Sequence, residues 1–245
     1  MTHRHGWLPP DVKNRLASLE RWLLPGECLL CRQSLGDHAT VSLVCALCRF
    51  RWIRLPDPQC ARCGEPRLLS ELACRLCQEW PPDLSVARSA VWHEGSARDV
   101  VHQLKYEGWW RVTEVMADAM MGLDPLFDRP SLVPVPLAPR RMRVRGYNQS
   151  EHLAQALGKR MGLPVRIDCL KRVRETPTQT ALTPEERLAN VAGAFQAERN
   201  RVERIVLVDD VFTTGATLIA AAHALVQAGA KQVGAVTFAR AKNRL

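Results

Sequence analysis

The sequence predicts an α/β protein in which a mostly parallel sheet with flanking helices follows small zinc-ribbon modules. After residue 83, brief β-branched runs alternate with helical stretches, the pattern of parallel strands joined by helical crossovers. Ahead of them, eight of the nine cysteines form four Cys-x-x-Cys pairs between residues 28 and 77, and Pro81-Pro82 marks the boundary. The 245 residues divide accordingly into an amphipathic helix over 1–26, a double zinc ribbon over 27–80 and an α/β domain over 83–245.

The first element rests on Val12, Leu16, Leu19 and Leu23, which recur at helical spacing until Pro25-Gly26 stops the run. No apolar run approaches the ~18 residues a membrane helix needs, and the N-terminal stretch holds no signal-peptide core. A cytoplasmic protein with no membrane span is expected. A composition 47% apolar and 24% charged excludes a disordered chain.

The cysteine pairs are Cys28/Cys31, Cys45/Cys48, Cys60/Cys63 and Cys74/Cys77, separated by 13, 11 and 10 residues. Two such pairs supply the four thiolates of one tetrahedral zinc, so four pairs suit two structural zinc ions. Disulfides need an oxidising compartment, which nothing in the chain implies. Sequential pairing, first with second and third with fourth, is favoured because each loop is short, with a cross-braced arrangement as the alternative. Arg49, Arg51, Trp52 and Arg54 offer either a nucleic-acid surface or an ordinary face with Trp52 packed on the ribbon. The ninth thiol, Cys169 between apolar neighbours, reads as a buried apolar residue.

In the α/β region, strands are expected at Val86–Trp92, Leu132–Pro136, Val165–Ile167, Ile205–Val208 and Val233–Phe238. Helices are expected through Val100, Val101 and Leu104, then at Val112–Met121, Gln149–Met161, Pro184–Val191 and Ala216–Ala228. Arg172–Leu182 has little periodicity and reads as a mobile loop. Trp109-Trp110 is open between base stacking and packing, and the seven histidines share no metal-like spacing. The net charge is +9, of which residues 134–204 carry +7, and only six of the 34 cations are Lys. Such an Arg-rich middle suits forked contacts to phosphate, although a solvated basic face has the same composition.

The sharpest motif is RIVLVDDVFTTGAT at Arg204–Thr217. A buried strand ends in Asp209-Asp210, and Thr213-Thr214-Gly215-Ala216-Thr217 turns into the next helix. In open α/β sheets this strand end, facing a helix N-terminus, binds anionic ligands. Backbone N–H groups and threonine hydroxyls wrap a phosphate there, whereas adjacent carboxylates make sense only against hydroxyls or a metal ion.

This run resembles the phosphoribosyl pyrophosphate loop of type I phosphoribosyltransferases. The resemblance implies that Asp209 and Asp210 take the ribose hydroxyls, directly or through magnesium, and that Thr213, Thr214, Gly215, Ala216 and Thr217 hold the 5-phosphate. The four cysteine pairs, Leu104-Lys105-Tyr106-x-Gly108, VPVPLAPRRMRVRGYNQSEHLA and RVRETPTQTALTPEERLANVAGAF follow in the order seen in the ComF/GntX competence family, with a departure at His93, where an aromatic is expected. That resemblance spans Cys28 to Arg240. It implies a pyrophosphate loop at Pro134–Leu137 with Arg140 and Arg145 as the leading catalytic arginines, Lys105 reaching the same cleft, and a closing loop with Arg174, Gln179 and Arg187. It further implies phosphoribosyl pyrophosphate with magnesium as ligand, single-stranded DNA as a partner in natural transformation, and a helicase-like protein with other DNA-processing proteins nearby. The reaction implied is magnesium-dependent phosphoribosyl transfer to an acceptor the sequence does not name, with no segment resembling a nucleobase-recognising hood. The alternative is a non-catalytic DNA-binding or scaffold factor that keeps the fold.

Overall fold

Alternation of apolar residues along the central strand decides which elements cover which face of the sheet. The computed structural model describes residues 26–35, 42–67, 74–123, 126–175, 193–198 and 202–242. The helix expected over 1–26 lies, apart from Gly26, outside them, as do Gln179, Arg187 and the helix expected at Pro184–Val191.

Four parallel strands form the sheet in the order β1 (Val86–Trp92), β6 (Gln232–Arg240), β5 (Arg204–Phe212) and β2 (Ser131–Pro134). On β5, Val206 and Val208 face one core and Ile205 and Leu207 the other, the period of two expected of a strand buried on both faces. The first core is closed by α2 (Gly95–Tyr106), α3 (Thr113–Met120) and α5 (Gln149–Met161), through residues such as Leu104, Met116 and Leu153. The second is closed by α6 (Ala216–Gln227) and a two-stranded antiparallel ribbon of β3 (Leu170–Arg172) and β4 (Phe195–Ala197). Two short helices are also described, α1 (Ala46–Phe50) in the cysteine-rich region and α4 (Pro139–Arg145) after β2, with a 3-10 turn at Trp110–Val112. Cys169 is buried beside β3, as expected.

Three expectations need correction. The strand expected at Val165–Ile167 is a single bridge, Leu132 to Val165. Pro164 contributes only its carbonyl, to the Leu132 N–H, and after the Arg166 N–H bonds back to Leu132 the chain leaves the sheet, so Ile167 is exposed. The strand expected to stop at Val208 continues to Phe212, because β6 keeps pairing with it: Asp209 opposes Thr237 and Val211 opposes Ala239. Asp209 and Asp210 thus lie inside the strand's carboxyl-terminal stretch. The loop expected from Arg172 begins in a strand instead, with Arg172 opposite Phe195.

The cysteine modules straddle the outer edge of β1. Between the two pairs of pairs, Ile53 accepts from the Trp92 N–H at 2.8 Å and Arg54 bridges Val91, while further on Arg62 accepts from the Ala87 N–H at 2.7 Å. An edge that would otherwise offer free N–H and C=O groups is thereby covered. Each module then enters a different core: Cys28, Cys48 and Trp52 join the first, and Cys60, Cys63, Cys77 and Trp80 the second. Trp52 packs edge-on against Phe238 at 5.0 Å between ring centres and is buried, which decides its role as packing and removes it from any base-stacking surface. Truncating it to Ala is expected to cost about 3–5 kcal/mol of unfolding free energy in urea titration. An unchanged midpoint would mean that the first module does not share the sheet's core.

Candidate functional site

Beyond the carboxyl ends of β1, β2 and β5 the chain encloses a cleft of about 1220 Å³. A crevice in this position is where open α/β sheets bind ligands. Its walls come from His93 after β1, Lys105 in the last turn of α2, Val135–Leu137 after β2, the α4 arginines, the start of α5, and Asp209, Asp210, Thr213 and Thr217 from β5 and the turn that follows.

At its floor, Asp210 is buried and paired through Oδ2 with the Lys105 ammonium, while its Oδ1 accepts from Gln149 Nε2 at 3.0 Å. Asp209 Oδ1 accepts from Ser150 Oγ at 2.7 Å and from the Asp210 N–H at 2.9 Å. Gln149 and Ser150 open α5, and the Asn148 side chain caps that helix by accepting from the Ser150 N–H. Gln149 Oε1 also accepts from Arg145, so one amide links Arg145 to Asp210. Burial alone would raise both carboxyls. The Lys105 charge overcomes it at Asp210 and holds that group low, whereas burial together with the neighbouring Asp210 charge pushes Asp209 up to about 7. Lys105 is shifted up in turn, because Asp210 outweighs the desolvation that would lower it.

The opposite wall is cationic. Arg140, Arg141 and Arg145 all reach the cleft from α4, whose residues are all at least partly exposed, and Arg172 joins them from β3. Burial, followed by Arg141, holds the Arg172 guanidinium below its usual range, the mark of a crowded cationic pocket. His93, where an aromatic is expected, lines the cleft too, and burial and then Lys105 lower its pKa and favour the neutral ring.

The expected site residues are thus gathered unevenly. Asp209, Asp210, Lys105, Arg140, Arg145, Thr213 and Thr217 meet in the cleft. Thr214 Oγ1 is shielded from solvent and has no hydrogen-bond partner among the described residues. Gly215 holds φ +84° before the first turn of α6, and Ala216 is buried behind it. Arg174 is exposed beyond β3 and does not line the cleft. Sequence reasoning passed over Gln149 and Ser150. An Asn followed by a helix reads as capping, and the reach of its first two side chains to another strand is a tertiary fact.

The cysteines form two clusters by sequential pairing, Cys28/Cys31/Cys45/Cys48 and Cys60/Cys63/Cys74/Cys77. Sulfur–sulfur distances of 3.7 Å for Cys31–Cys45 and Cys60–Cys77 and 3.6 Å for Cys63–Cys74 are far too long for the ~2.0 Å of a disulfide. They match the ~3.8 Å edge of a tetrahedron with ~2.3 Å metal–sulfur bonds, so the donor set fits zinc. Burial raises the thiols, yet backbone N–H donors overcome it at one position per cluster and bring Cys28 and Cys60 to about 7. Cys77 is pushed up to about 11 by burial and by Cys60, and Cys48 and Cys63 are pushed up further. Full ionisation of either cluster therefore needs a cation at its centre.

Comparison with known proteins places this architecture. Residues 145–245 match the model of the phosphoribosyl transferase domain. The chain is 34% identical over 222 residues to the DNA utilization protein YhgH of Salmonella typhi, covering 86% of this chain and 95% of that one. It is 27% identical over 227 residues to competence protein ComFC of Streptococcus pneumoniae, covering 87% and 100%. The chain belongs to the ComF family of DNA utilization and competence proteins. A solved Bacillus subtilis glutamine phosphoribosylpyrophosphate amidotransferase aligns with a TM-score of 0.33 at 21% identity, over 51% of this chain and 24% of that one.

For this ComF-family chain two outcomes follow. Cys60→Ser is expected to lower the zinc content of the purified protein by one equivalent of two, read by atomic emission. No change would remove that pair from metal binding. Asp209 is held protonated well above its unfolded value of 3.8, so it favours the folded state below that value and loses that contribution as pH rises towards 7. Asp209→Asn lacks this titration. In paired melts its stability relative to wild type is expected to grow from pH 4 to pH 7, by at least the roughly 1.4 kcal/mol that one pK unit represents.

Proposed function

We propose that this protein binds phosphoribosyl pyrophosphate with magnesium in the cleft described above and acts in the cytoplasm on incoming single-stranded DNA during natural transformation. The supporting observation is the division of charge in one cleft: Asp209 and Asp210 on the floor, the Thr213–Thr217 turn beside them, and Arg140, Arg141 and Arg145 opposite. Carboxylates suit ribose hydroxyls and a hard cation, and guanidinium groups suit a diphosphate. Magnesium, when bound, would neutralise the diphosphate, and Asp209 and Asp210 would take the ribose hydroxyls directly or through that ion.

Transfer to an acceptor then requires the C1–oxygen bond to the diphosphate to break as the acceptor bonds to C1. Arg140 and Arg145 are placed to offset the charge that develops on the departing pyrophosphate. Gln149 fixes how Arg145 is presented, since its amide is held at the other end by Asp210. Lys105 keeps the acid pair from repelling an anionic ligand.

Exposed aromatics in the cleft wall and beyond it support the DNA half of the reading. Tyr106 is 68% exposed with the Arg145 guanidinium 5.8 Å from its ring centre. Trp110, 41% exposed, stacks on His152 at 4.6 Å with Arg111 beside it. Alternating aromatic and guanidinium faces form a stacking platform for single strands. This placement favours the Arg140–Arg145 side over the cysteine modules as the DNA contact. A helicase-like partner and other DNA-processing proteins stay part of the reading through the family alone.

Calorimetric titration of the zinc-loaded protein with phosphoribosyl pyrophosphate and magnesium is expected to show saturable binding. Asp209→Asn combined with Asp210→Asn is expected to abolish it, a loss of at least a hundredfold, while zinc content stays at two equivalents. Normal binding by the double variant would move the sugar-phosphate site elsewhere, and no binding by wild type would leave a DNA-binding factor that has kept the fold.

A further inference from the structure

The second cysteine cluster reaches the phosphate turn through two buried side chains. Trp80 lies three residues past Cys77, and its N–H donates to the Cys77 carbonyl at 3.2 Å. Arg62, between Cys60 and Cys63, donates to the carbonyls of Cys77, Trp80 and Pro81 at 3.1, 3.1 and 2.5 Å and so fixes the backbone that carries the indole. The indole packs on Phe212 at 5.9 Å between ring centres, and its Cζ2 stands 2.9 Å from where a β-carbon on Gly215 would lie. The middle of the turn therefore rests directly on Trp80. Arg240, at the end of β6, is fully buried with its guanidinium 4.1 Å from the Phe212 ring centre, and it donates to the Cys63 carbonyl at 2.8 Å and to Glu65 Oε2 at 2.7 Å. Phe212, the residue just before Thr213, thus touches two groups, Trp80 and Arg240, that are each tied to the second cluster. The first cluster has no such link among the described residues: its Trp52 packs on Phe238 in the opposite core.

We propose that the second four-cysteine cluster is a positioning element for the Thr213–Thr217 turn, acting through Trp80 and Arg240, so that the affinity of the turn for a sugar phosphate depends on metal in that cluster. The turn's role in holding a phosphate is the reading given above; its dependence on the cluster is new to it. The physical basis is preorganisation. Backbone N–H groups bind a phosphate well only when already aimed at it, and Gly215, at the turn's centre with φ +84°, packs directly on the Trp80 ring, which limits where the turn can move. Four thiolates on one metal fix the segments carrying Arg62, Glu65 and Trp80, whose own short lengths could not.

The test uses the full chain and two readings. Amide hydrogen exchange of residues 213–219 is followed on ligand-free protein, and phosphoribosyl pyrophosphate affinity is measured by calorimetry. Trp80→Ala, with two zinc equivalents retained, is expected to speed exchange at the turn and weaken binding, each by about tenfold, the scale of losing a packed neighbour of a site. Trp80→Phe, which keeps a ring against Phe212, restores most of both. Cys60→Ser repeats the Trp80→Ala effect with loss of one zinc. Trp52→Ala is the control for general destabilisation and leaves turn exchange unchanged. Unaltered exchange in Trp80→Ala, or an equal change in Trp52→Ala, overturns the proposal. Because exchange is read without ligand, failure of wild type to bind the sugar phosphate counts against the phosphate reading alone.

Discussion

Two consecutive carboxylates on a strand buried between two cores must be neutralised by something, and the rest of this end of the molecule is arranged around that need. A single buried carboxylate costs several kcal/mol unless paired, and a second next to it raises the cost. Lys105 answers Asp210, and it can do so only because α2 ends level with the end of β5. Gln149 and Ser150 answer the remaining oxygens, and they can do so only because Asn148 starts α5 at that depth. Placement of two helices against β5 is thereby coupled to one pair of acids. The burden that remains falls on Asp209, which burial and the neighbouring Asp210 charge push up to about 7.

The cysteine modules show the same economy of structure in another form. Each is too small to bury a core of its own, and each lends its apolar side chains to one of the sheet's cores, Trp52 to one and Trp80 to the other. The segment joining them lies along β1 and satisfies an edge strand that a parallel sheet leaves open. A metal ion bound in either cluster would therefore contribute to the folding of the sheet as well as of the ribbons. Pro81-Pro82, read from composition as a boundary, separates two sequence patterns that are continuous in packing.

What was legible in the sequence was local. Cys-x-x-Cys spacing, the strand–turn–helix at Arg204–Thr217 and helices such as Gln149–Met161 are set by residues within a few positions of one another, and the structure has them where the pattern puts them. What was not legible depended on distant partners. β3 and β4 are three residues each, too short for alternation to show, and exist because they pair with each other. α4 hides in an arginine run whose helical start is marked only by Pro139 at its first position. His93 entered the cleft because Trp92 ends β1 beside Arg240, a fact of register. Trp80 is the plainest case: nothing in its neighbourhood of the chain points to a contact with Gly215.

Under the proposed function the cleft also has to solve a problem of sign, since a ligand carrying both hydroxyls and phosphates would meet acids and arginines in one space. Two like charges about 6 Å apart repel by roughly 3 kcal/mol at an effective dielectric of 20, enough to exclude a phosphate from bare carboxylates. The Lys105 pair cancels one of the two charges, and a partly protonated Asp209 weakens the other, so the acid floor presents little net charge to an anion. The arginine wall meanwhile supplies the positive side of the cleft, lined by Arg140, Arg141, Arg145 and Arg172. Such a ligand would have its anionic groups drawn to one wall and its hydroxyls left to the other, and Gln149, bonded to Arg145 at one end of its amide and Asp210 at the other, links the two walls. Replacing that amide by a side chain with a single bonding end would leave one wall free to turn without the other, which is why an uncharged residue sits at the centre of the most charged part of the molecule.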